Sequence, residues 1–207
     1  MTKLSILIPS IPSRKRIFEA LLSNLQQQIS ACKTNHPALG SVQLITHAGA
    51  SFLDSGLSIG EKRNDLVQSA GSEYLCFLDD DDTVPPNYIE SLLRLCYQEA
   101  DICTFRALLK MRDYWGIVDM RLAYAVNDQA TPEYTMRRRP WHICPVKTKF
   151  AQLYRFEDKN NAEDFAWMEK VLNHCAIEAH TDKILFQYNH GPHSEADKIE
   201  NYVFSEQ

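Results

Sequence analysis

A chain of 207 residues, 44% of them hydrophobic and 24% charged, has the balance of a globular domain with a full core, which excludes a disordered chain. The length fits one ordinary domain, or one with an elaborated C-terminal third. A formal charge of −5 gives no general footprint for nucleic acid, although a local basic patch is compatible with it.

Residues 4–8 form a short apolar run closed by Pro9 and Pro12, the pattern of a buried strand. Ser13 is placed to cap the helix that follows, in which Phe18, Leu21, Leu22, Leu25 and Ile29 recur at helical spacing. Residues 42–46 read as a second strand, residues 48–60 as a polar loop and residues 61–70 as a second helix. Residues 73–78 give a third strand that runs directly into Asp79-Asp80-Asp81-Asp82. Pro85-Pro86 opens a helix carrying Ile89, Leu92, Leu93 and Leu95, and residues 101–105 form another short strand. Strand, helix, strand, helix, strand predicts an α/β fold built on a mostly parallel sheet.

The second half is less regular. Residues 112–126 read as a strand pair, and residues 127–139 as a mobile polar loop ending in Arg137-Arg138-Arg139. Residues 141–146 return to the sheet, residues 162–173 carry a helical pattern and residues 184–188 form a last strand before a polar tail. No linker divides the chain, so a single domain over 1–207 is expected. The opening apolar run is too short for a signal peptide, and no stretch approaches the roughly 18–20 apolar residues that span a bilayer. A cytoplasmic protein is therefore expected. The six cysteines (32, 76, 96, 103, 144 and 175) form no CxxC pair and read as buried reduced thiols.

Four consecutive aspartates after an apolar strand need a reason. In open α/β sheets ligands bind beyond the carboxyl ends of strands, where this run lies. Crowded like charges call for a cation, and oxygen ligands suit Mg²⁺ or Mn²⁺ held by one or two carboxylates plus phosphate oxygens. The plainer alternative is a solvated acidic turn that caps the next helix.

At these residues the chain resembles the family 2 glycosyltransferases, which have the GT-A fold. The resemblance spans about residues 3–190. It rests on four motifs in order: Leu4-Ser5-Ile6-Leu7-Ile8-Pro9, Gly60-Glu61-Lys62-Arg63-Asn64, Phe77-Leu78-Asp79-Asp80-Asp81-Asp82, and Glu163-Asp164 opening a helix. It resembles the compact stand-alone members found in bacteria and their viruses. It implies a GT-A, Rossmann-like sheet flanked by helices with a small mixed C-terminal part. Residues 1–105 would bind a nucleotide-sugar donor, most commonly a UDP-sugar, and residues 106–207 would hold the acceptor and the catalytic base. By position, Pro9, Lys62, Arg63, Asn64, Asp79 and Asp80 would meet the donor. Asp81, Asp79 and Asp82 would hold Mn²⁺ or Mg²⁺, joined by His190 or His193 near the last strand. Asp164 would be the general base of an inverting transfer, with Glu163 orienting it or binding the acceptor. Arg139, Trp141, His142 and Trp167 are candidate acceptor contacts.

One departure stands out. The family's usual acidic residue after the second strand is replaced by His47-Ala48-Gly49, with no carboxylate before Asp54. Other readings stay open. A saccharide is the leading acceptor, and glycosylation of modified bases in DNA is a second, permitted by Arg137–Arg139 with Lys147 and Lys149. A nucleotidyltransferase would want a glycine-rich phosphate loop, which Ile8-Pro9-Ser10-Ile11-Pro12-Ser13 lacks. A non-catalytic nucleotide-sugar-binding module is the remaining alternative.

Overall fold

The computed structural model describes residues 2–46, 56–111, 114–125, 136–160 and 162–190, with the backbone alone at 110–111, 114–115 and 189–190. The strands are β1 (Thr2–Ile8), β2 (Ser41–Thr46), β3 (Tyr74–Phe77), β4 (Ile102–Met111), β5 (Tyr114–Met120), β6 (Met136–Arg138), β7 (Val146–Lys147) and β8 (Glu178–His190). The helices are α1 (Lys15–Asn35), α2 (Ile59–Ser69), α3 (Tyr88–Cys96), α4 (Thr148–Ala151) and α5 (Glu163–Leu172).

One eight-stranded sheet runs β2-β1-β3-β7-β4-β5-β6, with β8 on the other edge of β4. The β2-β1-β3 half is parallel, and β8 lies parallel to β4 along its length. The fold is thus α/β with a mostly parallel central sheet, as expected. Leu4, Ile6, Leu7 and Ile8 are all fully buried, because helices cover both faces of the central strands. Beneath the cleft, Phe156 stacks on Trp167 at 4.5 Å, and the Phe77 ring stands edge-on to both at 5.5 and 5.8 Å.

Local details differ from the sequence reading. Ser13 caps nothing; it lies in a 3₁₀ turn, Pro12–Arg14, where Pro12 takes the first helical position. The capping box occurs instead at α2: Ser58 accepts from the Glu61 amide, and the Glu61 side chain accepts from the Ser58 amide. Strand β4 continues past residue 105 and forms a hairpin with β5. There Phe105, Ala107 and Leu109 are buried while Arg106 and Leu108 are partly exposed, a period-two pattern whose basic member interrupts the apolar run. Arg137 and Arg138 belong to β6, not to a loop. All six cysteines are free, and all but Cys175 are buried. No helix among the described residues is long and apolar enough to cross a membrane.

Candidate active site

Strands β1 and β3 end side by side, so Pro9 and Asp79 emerge together at the carboxyl edge of the parallel half. The aspartates form a tight turn, with the Asp82 amide donating to the Asp79 carbonyl at 3.1 Å. Thr83 and Gln187 then exchange backbone hydrogen bonds, which pins the turn to β8. The four carboxylates do not converge on one partner: Arg14 meets Asp80 and Asp81, and Arg63 meets Asp79.

Asp80 is 2% exposed. It accepts from the Ser10 hydroxyl at 2.8 Å and from Arg14 Nη1 at 2.9 Å, so it ties the loop after β1 to the loop after β3. Burial raises its carboxyl, and the bonds from Arg14 and Ser10 pull the other way. Asp80 was expected at the donor; its oxygens are committed to protein partners. Asp81 stands 3.2 Å from Arg14. Asp79 accepts from Arg63 Nη2 at 3.0 Å, and its own amide donates to Asp82 Oδ2 at 3.0 Å. The Asp82 carboxyl is pushed well above the carboxylate range, first by burial and then by the charges of Asp79 and Asp81.

The facing wall is the start of α5. Ala162 sits there at φ 58°, a left-handed backbone costing about 1–2 kcal/mol for a residue with a Cβ. That turn delivers Glu163 and Asp164 to the cleft. Glu163, 4% exposed, lies 3.2 Å from Arg63 Nε, at ion-pair distance but outside hydrogen-bond geometry. Arg63 Nη1 is buried with no hydrogen-bond partner among the described residues. Arg63 also lies over the Phe77 ring, 5.0 Å from its centre.

His142 joins the two walls. Its Nδ1 is 2.9 Å from Asp164 Oδ2, and its Nε2, buried without a hydrogen-bond partner, is 3.9 Å from Asp79. Burial alone would raise Asp164; the hydrogen bond and charge of His142, then the charge of Arg63, outweigh it and hold this carboxyl well below the usual range.

Two adjoining cavities meet at this bridge. The first, about 270 Å³, is lined by Pro9, Ser10, Ile11, Arg14, Arg63, Asp79, Asp80 and the Ala162–Asp164 turn. The second, about 320 Å³, shares Asp79 and Asp164 and adds Asp82, Arg138, Trp141, His142 and Tyr188. Three expected contacts lie elsewhere. Asn64 is buried, and its amide exchanges two bonds with the Phe156 backbone, at 3.1 and 2.8 Å. Lys62 is buried and lines neither cavity. Trp167 is core, its Nε1 donating to the Tyr154 carbonyl at 3.3 Å.

Arg139 pairs with Glu169 at 2.6 Å, Arg138 lies over Trp141 and Arg137 over Tyr124, so the basic run is not a free stripe. His190 contributes only its backbone in β8, and His193, His47 and Asp54 lie outside the described residues. Arg14 was missed from sequence. The signal available was a basic cluster, Arg14-Lys15-Arg16, just past the end of a strand.

The aspartate turn fits a divalent cation in a limited way. The repulsion raising Asp82 marks negative charge that a cation would relieve. Yet among the described residues these aspartates do not bring three ligand atoms within 4.8 Å of one another. That suits a metal taking one or two carboxylates and completing its shell from phosphate and water. Asp119, His180 and Asp182 do converge to that distance. Arg106, at 3.3 Å from Asp119 and 2.8 Å from Asp182, and the Tyr124 hydroxyl, at 2.8 Å from Asp119, already engage their oxygens. None of the three lines either cavity.

The sequence profile of the family described as Glycosyl transferase family 2 matches residues 53–160, just over half of the chain. The chain belongs to this family. Over 122 residues this family 2 chain is 25% identical to a protein described as putative glycosyltransferase EpsH of Bacillus subtilis (strain 168), covering 59% of this chain and 30% of that protein. Among solved structures, the fragment 1–349 of TarS from S. aureus is similar at a TM-score of 0.61 and 14% identity, over 91% of this chain and 60% of that one. The same fragment in complex with UDP-GlcNAc gives a TM-score of 0.62 at 16% identity, over 98% and 62%. At such identities the likeness establishes the GT-A fold. The family 2 chain spans under two-thirds of the length of each of these relatives.

Proposed function

We propose that this family 2 chain is an inverting glycosyltransferase that moves a sugar from a UDP-sugar to an acceptor hydroxyl, as a single domain assisted by Mn²⁺ or Mg²⁺. The observation that carries the reading is one cleft with an acidic centre on each wall, Asp79 and Asp164, bridged by His142. The TarS fragment, similar in fold, binds UDP-GlcNAc, which supports UDP as the nucleotide.

The first cavity takes the donor. Pro9 and Ile11 frame the nucleoside end, and Arg14 and Arg63 face the diphosphate, with the free Arg63 Nη1 as a donor to it. Asp81 and Asp79 would hold the metal, which when bound offsets charge on the departing diphosphate. Glu163 fixes Arg63. The acceptor oxygen bonds the anomeric carbon while the carbon–oxygen bond to UDP breaks on the opposite face, and the hydroxyl proton passes to Asp164. A low resting pKa keeps Asp164 ionised and ready. It accepts the proton because the hydroxyl becomes strongly acidic only as its oxygen bonds carbon. His142 aims the carboxylate.

Thermal stability across UDP, GDP, CDP, ADP and TDP, each with and without Mn²⁺, tests this. A nucleotide at about a hundred times its dissociation constant adds roughly 2.7 kcal/mol, or about 5–10 °C in Tm for a domain of this size. UDP is expected to give that shift only with Mn²⁺, and Asp81→Asn to lose it. A folded protein that ignores all five nucleotides refutes the proposal.

A further inference from the structure

The second cavity holds a cation that glycosyl transfer does not require. Arg138 lines it, with Nε donating to the Arg139 carbonyl at 3.2 Å and the guanidinium 4.4 Å from the centre of the Trp141 ring. Arg63 and Arg139, nearby, each have a carboxylate partner. Among the described residues no carboxylate reaches ion-pair distance of Arg138. Burial pushes its guanidinium down to about 10, opposed by the charges of Asp164 and others, so it stays protonated at neutral pH. A desolvated cation with no carboxylate in direct contact is costly, and its planar fork of donors matches a carboxylate or phosphate.

The rest of the cavity combines apolar walls with four carboxylates, of which Asp79, Asp164 and Glu169 already face Arg63, His142 and Arg139. Pro140, Trp141, Ile143, Met168, Phe186 and Tyr188 contribute to its walls, and the Trp141 and Tyr188 rings lie 6.3 Å apart at 55°. Asp164 opens on both cavities, and the first already has Arg14 and Arg63 for a diphosphate. The molecule whose hydroxyl Asp164 deprotonates therefore occupies the second. We propose that Arg138 selects an acceptor bearing an anionic group, a carboxylate or a phosphate, while Trp141 and Tyr188 carry the sugar face beside it. This rests on the glycosyl-transfer reading above.

The test is calorimetric titration, with UDP and Mn²⁺ present, of three methyl glucosides: the neutral sugar, the uronate, and the sugar phosphorylated on its primary hydroxyl. At least one anionic sugar is expected to bind tenfold to a hundredfold more tightly than the neutral one, the span of a charged hydrogen bond. The uronate or the phosphate, whichever binds better, identifies the anion. Arg138→Gln should erase the preference and Arg138→Lys should restore part of it, both keeping the UDP-induced rise in Tm that reports an intact fold and donor site. Equal binding of all three sugars, binding of none, or a preference that survives in Arg138→Gln overturns the proposal. So does loss of UDP binding in Arg138→Gln, which would place this arginine at the donor. A wild-type protein that ignores UDP yet keeps an Arg138-dependent preference sinks the transfer reading and leaves the anion subsite standing.

Discussion

Asp164 works through its neighbours. Asp164→Asn keeps the shape and removes the basic oxygen, so kcat should fall roughly 10²–10⁴-fold while UDP binding persists; steady-state kinetics beside nucleotide titration separates the two. His142→Phe removes the hydrogen bond and the first charge that depress this carboxyl. Its pKa then rises toward the ordinary range near 3.9 or above it. In the proposed transfer the rate needs the ionised form, so the acid limb of the kcat/KM profile should move to higher pH; an unmoved limb means that His142 does not set this titration. Asp79 and Asp164 were legible because a motif of carboxylates at a strand end and a helix start is a chemical pattern. The His142 bridge was not. A histidine 22 positions before its partner in the sequence carries no periodic signal, and only the pairing of its backbone carbonyl with the Phe77 amide, at 3.0 Å, sets it between the two walls. Asn64 misled for the opposite reason: a polar residue beside Arg63 in a motif looked like a ligand contact, yet its amide clamps a backbone segment 92 residues away.

Helix α2 shows what an element contributes to the site. Its start is pressed against the segment before α5: the Gly60 amide donates to the Lys159 carbonyl at 3.2 Å, and the Ile59 amide to Asn160 at 2.9 Å. A Cβ on Gly60 would stand 1.9 Å from the Glu157 carbonyl oxygen, which is backbone and cannot swing aside. Gly60→Ala should therefore cost roughly 1–3 kcal/mol in chemical denaturation. It should also weaken UDP binding by pulling Arg63 off Asp79 and Glu163; full stability with full UDP affinity would contradict this account of the glycine. Elements with one strong period were readable, as α1 and β1 show. The β4–β5–β6 edge was not. Its strands mix arginine with apolar residues, and β6 and β7 are three and two residues long, too short for any pattern to declare itself.

Across the whole molecule, the order of elements in the first 105 residues was enough to reach the α/β class and the edge on which the cleft lies, because a parallel sheet leaves few topologies. Cavity shape was not accessible that way. It depends on β8 returning along β4, so that Gln187 holds the aspartate turn and Tyr188 faces Trp141, a pairing across about 80 residues of chain. The core also contains its own reporter. Burial pushes the Cys76 and Cys175 thiols up to about 12 and those of Cys96 and Cys144 well above their usual value. Thiolate is the reactive form, so these four thiols should be nearly inert to a colorimetric reagent at neutral pH in the native protein. Colour then develops at the pace of transient opening. Saturating UDP with Mn²⁺ should slow that pace by about a hundredfold, the kinetic image of a 2.7 kcal/mol linkage when closing outruns labelling, and these four thiols become a clock that counts how often the molecule comes apart.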